Sequence, residues 1–270
     1  MIGNMDDFKI ESRNNISSRL LLDTESAILA GLCVTPIIAP VDVAVTSLQS
    51  GKSTLTVAFF DQVKSMMLTP HKYIISKPFI WIFTVYSLTY TANNCIDSIC
   101  KFNHINDMIP KLLGITFVNM YASIVKDIYF AKIYGTKAPT KVPITSLSMW
   151  IIRDLSAISA AFILPQRVAK ILNKNNESNL KKNDNRAQLL TPMLMQILVL
   201  PFHLLGLDFY NNEKSSILKR IKRIIPTYPK ALPLRFYRMG GAYGIGGVNN
   251  KNLRNFLISK YEGKNWNSKY

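Results

Sequence analysis

Long apolar segments separated by short polar ones run through most of the chain. Six of them are candidate membrane spans, at residues 25–49, 73–99, 109–133, 143–168, 187–210 and 232–258. The first contains Pro36 and Pro40, so it has no uninterrupted apolar run of the ~18 residues that a simple transmembrane helix needs. Proline and polar groups are nevertheless tolerated in spans that face other helices or a cavity. The pattern therefore predicts an all-α integral membrane protein, a bundle of six helices.

The remaining segments are amphipathic or polar. Residues 54–67 and the basic residues 215–226 have apolar positions at helical spacing, which is typical of a helix on a membrane interface or on a core. Residues 1–24 form a polar N-terminal segment and 259–270 a polar C-terminal tail, which leaves 25–258 as the membrane domain. The very polar stretch 172–186 is predicted to be an exposed loop.

Composition favours a membrane protein over a soluble one. The chain of 270 residues is 48% hydrophobic and 18% charged, whereas soluble domains carry about 25% charged residues. Its formal net charge of +17 fits loops that face an anionic membrane surface, and no aromatic and basic RNA-binding signature is present. We expect the lipid bilayer as a partner and no nucleic acid. A basic soluble helical protein that binds nucleic acid is the alternative with least support.

The sequence contains no recognisable catalytic or ligand-binding motif. Its three cysteines form no C-x-x-C pair, and its three histidines lack metal-ligand spacing. There is no G-x-S-x-G, P-loop or H-E-x-x-H motif, and the glycine-rich run 240–247 follows no predicted strand. We predict that the protein is not an enzyme and that it has no metal and no cofactor.

The first apolar segment ends in the pattern Pro-x-Asp-x-x-x-Thr-x-Leu-Gln, formed by Pro40, Asp42 and Gln49. This stretch resembles the signature of the odd-numbered helices of the mitochondrial carrier family, although uncharged residues stand where that family has bases. Residues 235–245, in which arginine precedes a glycine-rich stretch, are similar to the last even-numbered helix of the same family.

The resemblance implies three pseudo-repeats of two helices each, at about residues 25–100, 109–172 and 187–258. It also implies a multi-pass location in a mitochondrial membrane, the inner one. A protein of this family would move a small anionic metabolite by alternating access about a central site. The missing bases keep a second hypothesis open, a carrier-derived protein that has lost transport and has a receptor, assembly or structural role. The sequence predicts no particular protein partner.

Several residues in the apolar segments are predicted to line the transport path or to act as a gate. Charges inside a span are costly and mark functional sites by default. The candidates are Pro40, Asp42, Gln49, Lys126, Asp127, His203, Arg235 and Arg238. Because an unpaired buried carboxylate is strongly disfavoured, Asp42 is expected to pair with Lys126 or His203. Arg235 and Arg238 have an alternative role, in which they extend to the membrane interface.

Overall fold

The computed structural model describes residues 5–49, 53–134, 143–174, 180–211 and 215–268, and within these ranges it contains helices and no strand. The helices are α1 (Met5–Gln49), α2 (Leu55–Leu68), α3 (Pro70–Ile74), α4 (Lys77–Phe102), α5 (Met108–Tyr134), α6 (Ile144–Ile158), α7 (Leu164–Lys174), α8 (Leu180–Leu194), α9 (Gln196–Asn211), α10 (Ile217–Met239) and α11 (Gly246–Ser268). Two π-helical turns, Ser159–Ile163 and Gly240–Ile245, join α6 to α7 and α10 to α11. The all-α prediction is therefore confirmed for the described residues.

Among the described residues, four helical stretches are long and apolar enough to cross a membrane. They are Ile16–Ala44, Met108–Lys126, Ile144–Asn173 and Leu180–Gly206, and they correspond to the first, third, fourth and fifth predicted spans. The second and sixth predicted spans, in α4 and in the α10–α11 unit, are not among them. Polar residues such as Asn93 and Asn94 in α4, and the basic residues of α10, reduce their hydropathy. Six spans in three repeats are therefore not confirmed.

The second predicted span, 73–99, is divided by a helix start. The side chain of Ser76 accepts a hydrogen bond from the backbone N–H of Phe79 at 3.4 Å, and Pro78 lies in the first turn of α4. A serine cap followed by proline is a common beginning of a helix, because the first N–H groups have no partner within the helix. The buried helix α4 therefore begins later than predicted.

The long helices pack side by side in a closed bundle. In chain order, α1 packs on α4, α4 on α5, α5 on α6 and α6 on α9, while α7 packs on α8 and α9 on α10. The contact of α11 with α1 closes the ring. Small and branched residues of α1, including Ala30, Val34 and Ile38, are fully or almost fully buried. The bundle core therefore lies along α1.

One face of α5 is apolar and exposed. Ile109, Leu113, Phe117 and Tyr121 are 59% to 67% exposed, and their spacing of four residues places them along one side of the helix. Soluble monomers rarely expose a contiguous apolar patch of this kind. The face fits the hydrocarbon of a membrane.

Glycines let α8 approach the second π-helical turn closely. Gly240, Gly244 and Gly247 share a face toward α8. A Cβ at Gly244 would lie 2.7 Å from Leu189 Cδ1, and one at Gly247 would lie 2.6 Å from Gln188 Nε2. Small residues at helix interfaces in membranes allow such close backbone approach.

Replacing Gly244 with valine should lower the stability of the bundle. A Cβ at Gly244 would lie 3.1 Å from the Cα of Leu189 and 3.2 Å from its carbonyl oxygen, and backbone atoms cannot move aside easily. Overpacking of this kind costs typically ~1–3 kcal/mol. The matched control is Gly114→Val, where the nearest atom is the flexible end of Ile96. Equal melting temperatures of the two purified variants would contradict the expectation.

The predicted exposed loop at 172–186 is partly wrong, because α7 and α8 both extend into it. Asn183 is buried and donates to Asn173 Oδ1 at 3.0 Å, while Asn173 donates to Asp184 Oδ1 at 3.3 Å. The polar side chains in this stretch therefore bond one helix to the next. Only 175–179 lie outside the described residues here.

The two ends of the chain that are predicted to be polar segments belong to helices α1 and α11 of the bundle. Helix α1 begins at Met5 and its candidate span begins at Ile16, within the predicted polar segment 1–24. Helix α11 ends at Ser268, within the predicted tail. The domain limits stay a prediction.

Candidate functional site

Asp42, near the end of α1, lies between two cations from other helices. Its Oδ2 is 3.1 Å from Lys126 Nζ of α5, and its Oδ1 is 3.0 Å from Arg238 Nε of α10. Asp42 and Lys126 are both buried. The predicted pairing of Asp42 with Lys126 is confirmed, and Arg238 joins the pair.

A second group of charges lies on α6 and α9. Arg153 Nε and Nη2 each lie 2.8 Å from a carboxylate oxygen of Asp154, and Arg153 Nη1 lies 3.0 Å from His203 Nδ1. His203 was the alternative partner for Asp42, and the structure places it against Arg153 instead. The sequence gives Arg153 and Asp154 no special role, because they are near the start of an apolar segment where charges are usually solvated.

Arg235 lies between these two groups of charges. It is within electrostatic range of Arg238, Arg153, Asp154 and Asp42. Its side chain is only 8% exposed, and its Nε has no hydrogen-bond partner among the described residues. Leaving a buried donor unsatisfied costs free energy, more so for a charged group. The Nε of Arg235 therefore lacks an acceptor in the described part of the chain.

Together these side chains form a cluster in which cations outnumber anions. We define the basic cluster as Asp42, Lys126, Arg153, Asp154, His203, Arg235 and Arg238. Four members are Lys or Arg and two are Asp. Burying charge is expensive unless it is paired, so the excess of cations favours the binding of an anionic group.

The other predicted site residues are less informative. Pro40 is buried in α1, two residues before Asp42. The side chains of Gln49 and Asp127 lie outside the described residues. The roles of all eight candidates in transport stay predictions.

The Asp42–Lys126 pair should hold α1 to α5. In Asp42→Asn, Lys126 is left buried without its carboxylate partner, and breaking a buried pair costs roughly 3–5 kcal/mol. We expect a lower melting temperature and less protein in the membrane. Adding Lys126→Met should restore part of the loss, because the buried lysine that has lost the Asp42 carboxylate is removed. Independent, additive losses in the double variant would show that the two charges are not coupled.

A second polar network lies around Asp23, near the start of the candidate span Ile16–Ala44 of α1. Arg254 Nε of α11 is 2.6 Å from Asp23 Oδ1, and Arg254 Nη1 is 2.7 Å from Asp97 Oδ2. Ser98 also donates to Asp23. At 1.5 Å per residue, Asp23 and Asp42 are about 28 Å apart along the helix. We call Asp23, Asp97, Ser98 and Arg254 the Arg254 network.

Two lysines complete the pairing of Asp97, which lies outside the four candidate spans. Lys111 Nζ is 2.6 Å from Asp97 Oδ1, and Lys101 Nζ is 2.7 Å from Asp97 Oδ2. Burial raises the pKa of the Asp97 carboxyl, but hydrogen bonds from Lys101 and Lys111 outweigh this effect and hold the pKa below its usual value. Asp97 is therefore ionised at neutral pH, and its ion pairs connect α4 to α5 and α11.

Four aromatic residues fill the bundle between the basic cluster and the Arg254 network. We call Tyr86, Tyr90, Phe162 and Tyr243 the aromatic layer. Their neighbouring ring centroids are 5.5 to 6.5 Å apart, and the hydroxyl of Tyr90 donates to the carbonyl oxygen of Ala242. Phe162 and Tyr243 each belong to a π-helical turn, a feature that is frequent at functional sites.

A small cavity reaches this layer from the side of the Arg254 network. It has a volume of about 160 Å³ and lies between α5 and α7, with Phe162 and the buried Lys111 in its wall. Gln166, Arg167 and Lys170 also line it. The aromatic layer therefore separates a polar cavity from the basic cluster.

Buried charges between apolar helices, four of them long enough to span a membrane, are typical of a multi-pass helical membrane protein. The sequence model of the family described as "Probable citrulline exporter" matches residues 26–258, and the chain belongs to this family. No curated protein and no solved structure matches the chain.

This family assignment shows that the resemblance to mitochondrial carriers is wrong. The matching family is a different one, and no match to mitochondrial carriers was found. The resemblance rested on Pro40, Asp42 and Gln49 and on an arginine before glycines, and an apolar helical chain can produce so few coincidences by chance. The three pseudo-repeats and the mitochondrial location lose this support, whereas a multi-pass membrane protein fits both the helices and the family.

Proposed function

We propose that the protein exports citrulline, or a closely similar amino acid, and that its basic cluster binds the α-carboxylate of the solute. The observation that carries this proposal is the family match over residues 26–258. The four apolar helical stretches and the exposed apolar face of α5 support a place in the membrane. Membership of an exporter family favours transport over enzymatic catalysis.

The chemistry of citrulline suits the basic cluster. At neutral pH its α-carboxylate and α-ammonium groups balance, and its ureido group is uncharged, so the predicted anionic solute becomes a neutral solute that carries a carboxylate. A guanidinium binds a carboxylate through two parallel hydrogen bonds, and the Nε of Arg235 has no acceptor among the residues that the structure describes. Asp154 or Asp42 can accept from the α-ammonium group.

Binding at this site would bias the bundle toward opening. Arg238 lies 3.0 Å from Asp42, so a carboxylate at Arg235 and Arg238 competes with Asp42 for the same cation. A ligand shifts a conformational equilibrium only through such differential contacts. Release of Asp42 would loosen α1 from α10 at this end, while the Arg254 network keeps the other end closed.

One observation favours a second candidate, a membrane protein that does not transport. The aromatic layer fills the bundle, and its Tyr90, Phe162 and Tyr243 are buried. A receptor, assembly or structural protein has no need of a passage. In the transport proposal this layer must move.

Efflux from liposomes distinguishes the candidates. Purified protein is reconstituted into liposomes loaded with labelled citrulline or with labelled succinate, a small dicarboxylate. We expect citrulline to leave faster than from protein-free liposomes and succinate to stay. Efflux of succinate alone would support an anionic metabolite instead. Retention of both solutes would support the protein that does not transport.

A further inference from the structure

A single side chain joins the two π-helical turns. Nε2 of Gln188, in α8, donates to the carbonyl oxygen of Ala161 at 2.9 Å and to that of Tyr243 at 2.8 Å. Ala161 belongs to the first π-helical turn and Tyr243 to the second. A π-helical turn interrupts the regular ladder of helix hydrogen bonds, so its carbonyl groups can accept from a side chain. One carboxamide thus connects both turns.

The backbone at Gly247 packs closely against this carboxamide. A Cβ at Gly247 would lie 2.6 Å from Gln188 Nε2 and 3.1 Å from Gln188 Cδ. Gln188 is half-buried and lies within the candidate span Leu180–Gly206. The two carbonyl groups, the glycine and the glutamine together form a small polar site inside the bundle.

The distance from this site to Arg238 of the basic cluster is close to the length of an extended citrulline molecule. Tyr243 follows Arg238 by five residues, which is about 7 Å along a helix axis. Tyr86 connects the two places, because it packs on Tyr243 with ring centroids 6.0 Å apart and is within electrostatic range of Arg238. In extended citrulline, the carboxylate carbon and the ureido carbon are separated by six bonds of ~1.5 Å, or about 7–8 Å end to end.

We infer that the carbonyl groups of Ala161 and Tyr243 form the subsite for the ureido group of the solute, and that Gln188 occupies this subsite when the protein is empty. A ureido group and a glutamine side chain both end in a planar CO–NH2 whose two hydrogens can reach two acceptors. The inference rests on the proposed function, since it assigns the second end of the same solute.

Replacement of the Gln188 carboxamide by the ureido group would couple recognition of the solute to a conformational change of the bundle. When the solute carboxylate binds Arg238, the NH2 group of its ureido end takes over the bonds to Ala161 and Tyr243, and Gln188 is released. The tie between α8 and the two π-helical turns is then broken. Because these turns carry Phe162 and Tyr243, the aromatic layer becomes free to rearrange only when a solute with the right end is present.

Replacing Gln188 with methionine tests the subsite. The side-chain length is kept and the competing NH2 group is lost, so citrulline should bind about tenfold more tightly, because it alone now satisfies two carbonyl groups. Norleucine, which has a similar length and no ureido group, should bind as before. Apparent Kd values are obtained from the dependence of the melting temperature on each solute.

The matched control is Gln196→Met. Gln196 is a buried glutamine whose Nε2 donates to the carbonyl oxygen of Pro192 at 3.2 Å. This hydrogen bond goes to neither π-helical turn. The ratio of citrulline to norleucine affinity should stay as in the wild type. If Gln188→Met does not fold, Gly247→Ala should change the ratio in the same direction, because its Cβ displaces the carboxamide.

The outcomes separate this inference from the proposed function. Wild-type protein that transports citrulline, with an affinity ratio that Gln188→Met or Gly247→Ala leaves unchanged, overturns the ureido subsite alone. Equal changes for citrulline and norleucine also overturn it. Wild-type protein that neither binds nor transports citrulline overturns the proposed function and the subsite together.

Discussion

Replacing Arg235 with methionine should abolish citrulline transport and leave the amount of folded protein unchanged or higher. The guanidinium is buried, and its Nε has no partner among the described residues. Without Arg235, Asp42 keeps Lys126 and Arg238, and Asp154 keeps Arg153. The change therefore leaves neither carboxylate without a cation, and removing a buried charge in this situation is expected to be neutral or stabilising. A solute carboxylate that loses this charged donor loses roughly 2–5 kcal/mol of binding free energy, which is about thirtyfold or more in affinity.

The efflux rate per reconstituted molecule should therefore fall, while the melting temperature stays the same or rises. The matched control is Arg186→Met, at an exposed arginine of α8, which should leave both quantities near the wild-type values. An Arg235→Met protein that unfolds at a much lower temperature, yet transports at the normal rate per folded molecule, would show that Arg235 is structural.

Replacing Arg254 with methionine should cause a large loss of stability, in contrast to Arg235→Met. Asp23 is fully buried, and without Arg254 it keeps the hydroxyl of Ser98 but loses the cation that pairs with it. Asp97 keeps Lys101 and Lys111. Leaving a buried carboxylate without its cation costs roughly 3–5 kcal/mol, a large fraction of the stability of most domains. Protein abundance in the membrane should fall accordingly.

Arg254→Lys and Asp23→Asn refine this test. Lysine keeps the charge but replaces the five donors of the planar guanidinium fork with three on a single nitrogen, so the melting temperature of Arg254→Lys should lie between those of the wild type and Arg254→Met. Combining Asp23→Asn with Arg254→Met should recover part of the lost stability. A melting temperature of Arg254→Met equal to that of the wild type would contradict the structural role of the network.

The helical architecture and one ion pair are predictable from the sequence, for a physical reason. A carboxylate within an apolar segment has very few possible partners, and this consideration left Lys126 and His203 as the candidates for Asp42, of which the structure shows Lys126. The Arg254 network was missed because Asp23 falls in a segment that reads as polar. Two pairs near the network, Asp97 with Lys101 and Asp107 with Lys111, are spaced as on one helix face and are visible in the sequence.

The aromatic layer and the Gln188 subsite depend on contacts that sequence patterns do not encode. Tyr86 and Tyr90 fit either a membrane interface or a core in the sequence, and only the packing of helices shows that they are buried. Gln188 stands at the edge of a polar stretch with nothing to mark it. The π-helical turns have no periodic signal, although the glycines of the second turn allow the close approach that Gln188 uses.

The central claim, that citrulline is bound by its carboxylate and exported, is tested most directly by competition during transport. Proteoliposomes containing the wild-type protein exchange labelled citrulline in the presence of excess unlabelled citrulline or of N-carbamoylputrescine, which is citrulline without its carboxylate. The account predicts that unlabelled citrulline suppresses the exchange of label and that N-carbamoylputrescine does not. Equal suppression by both compounds, or no exchange above that of protein-free liposomes, would contradict it.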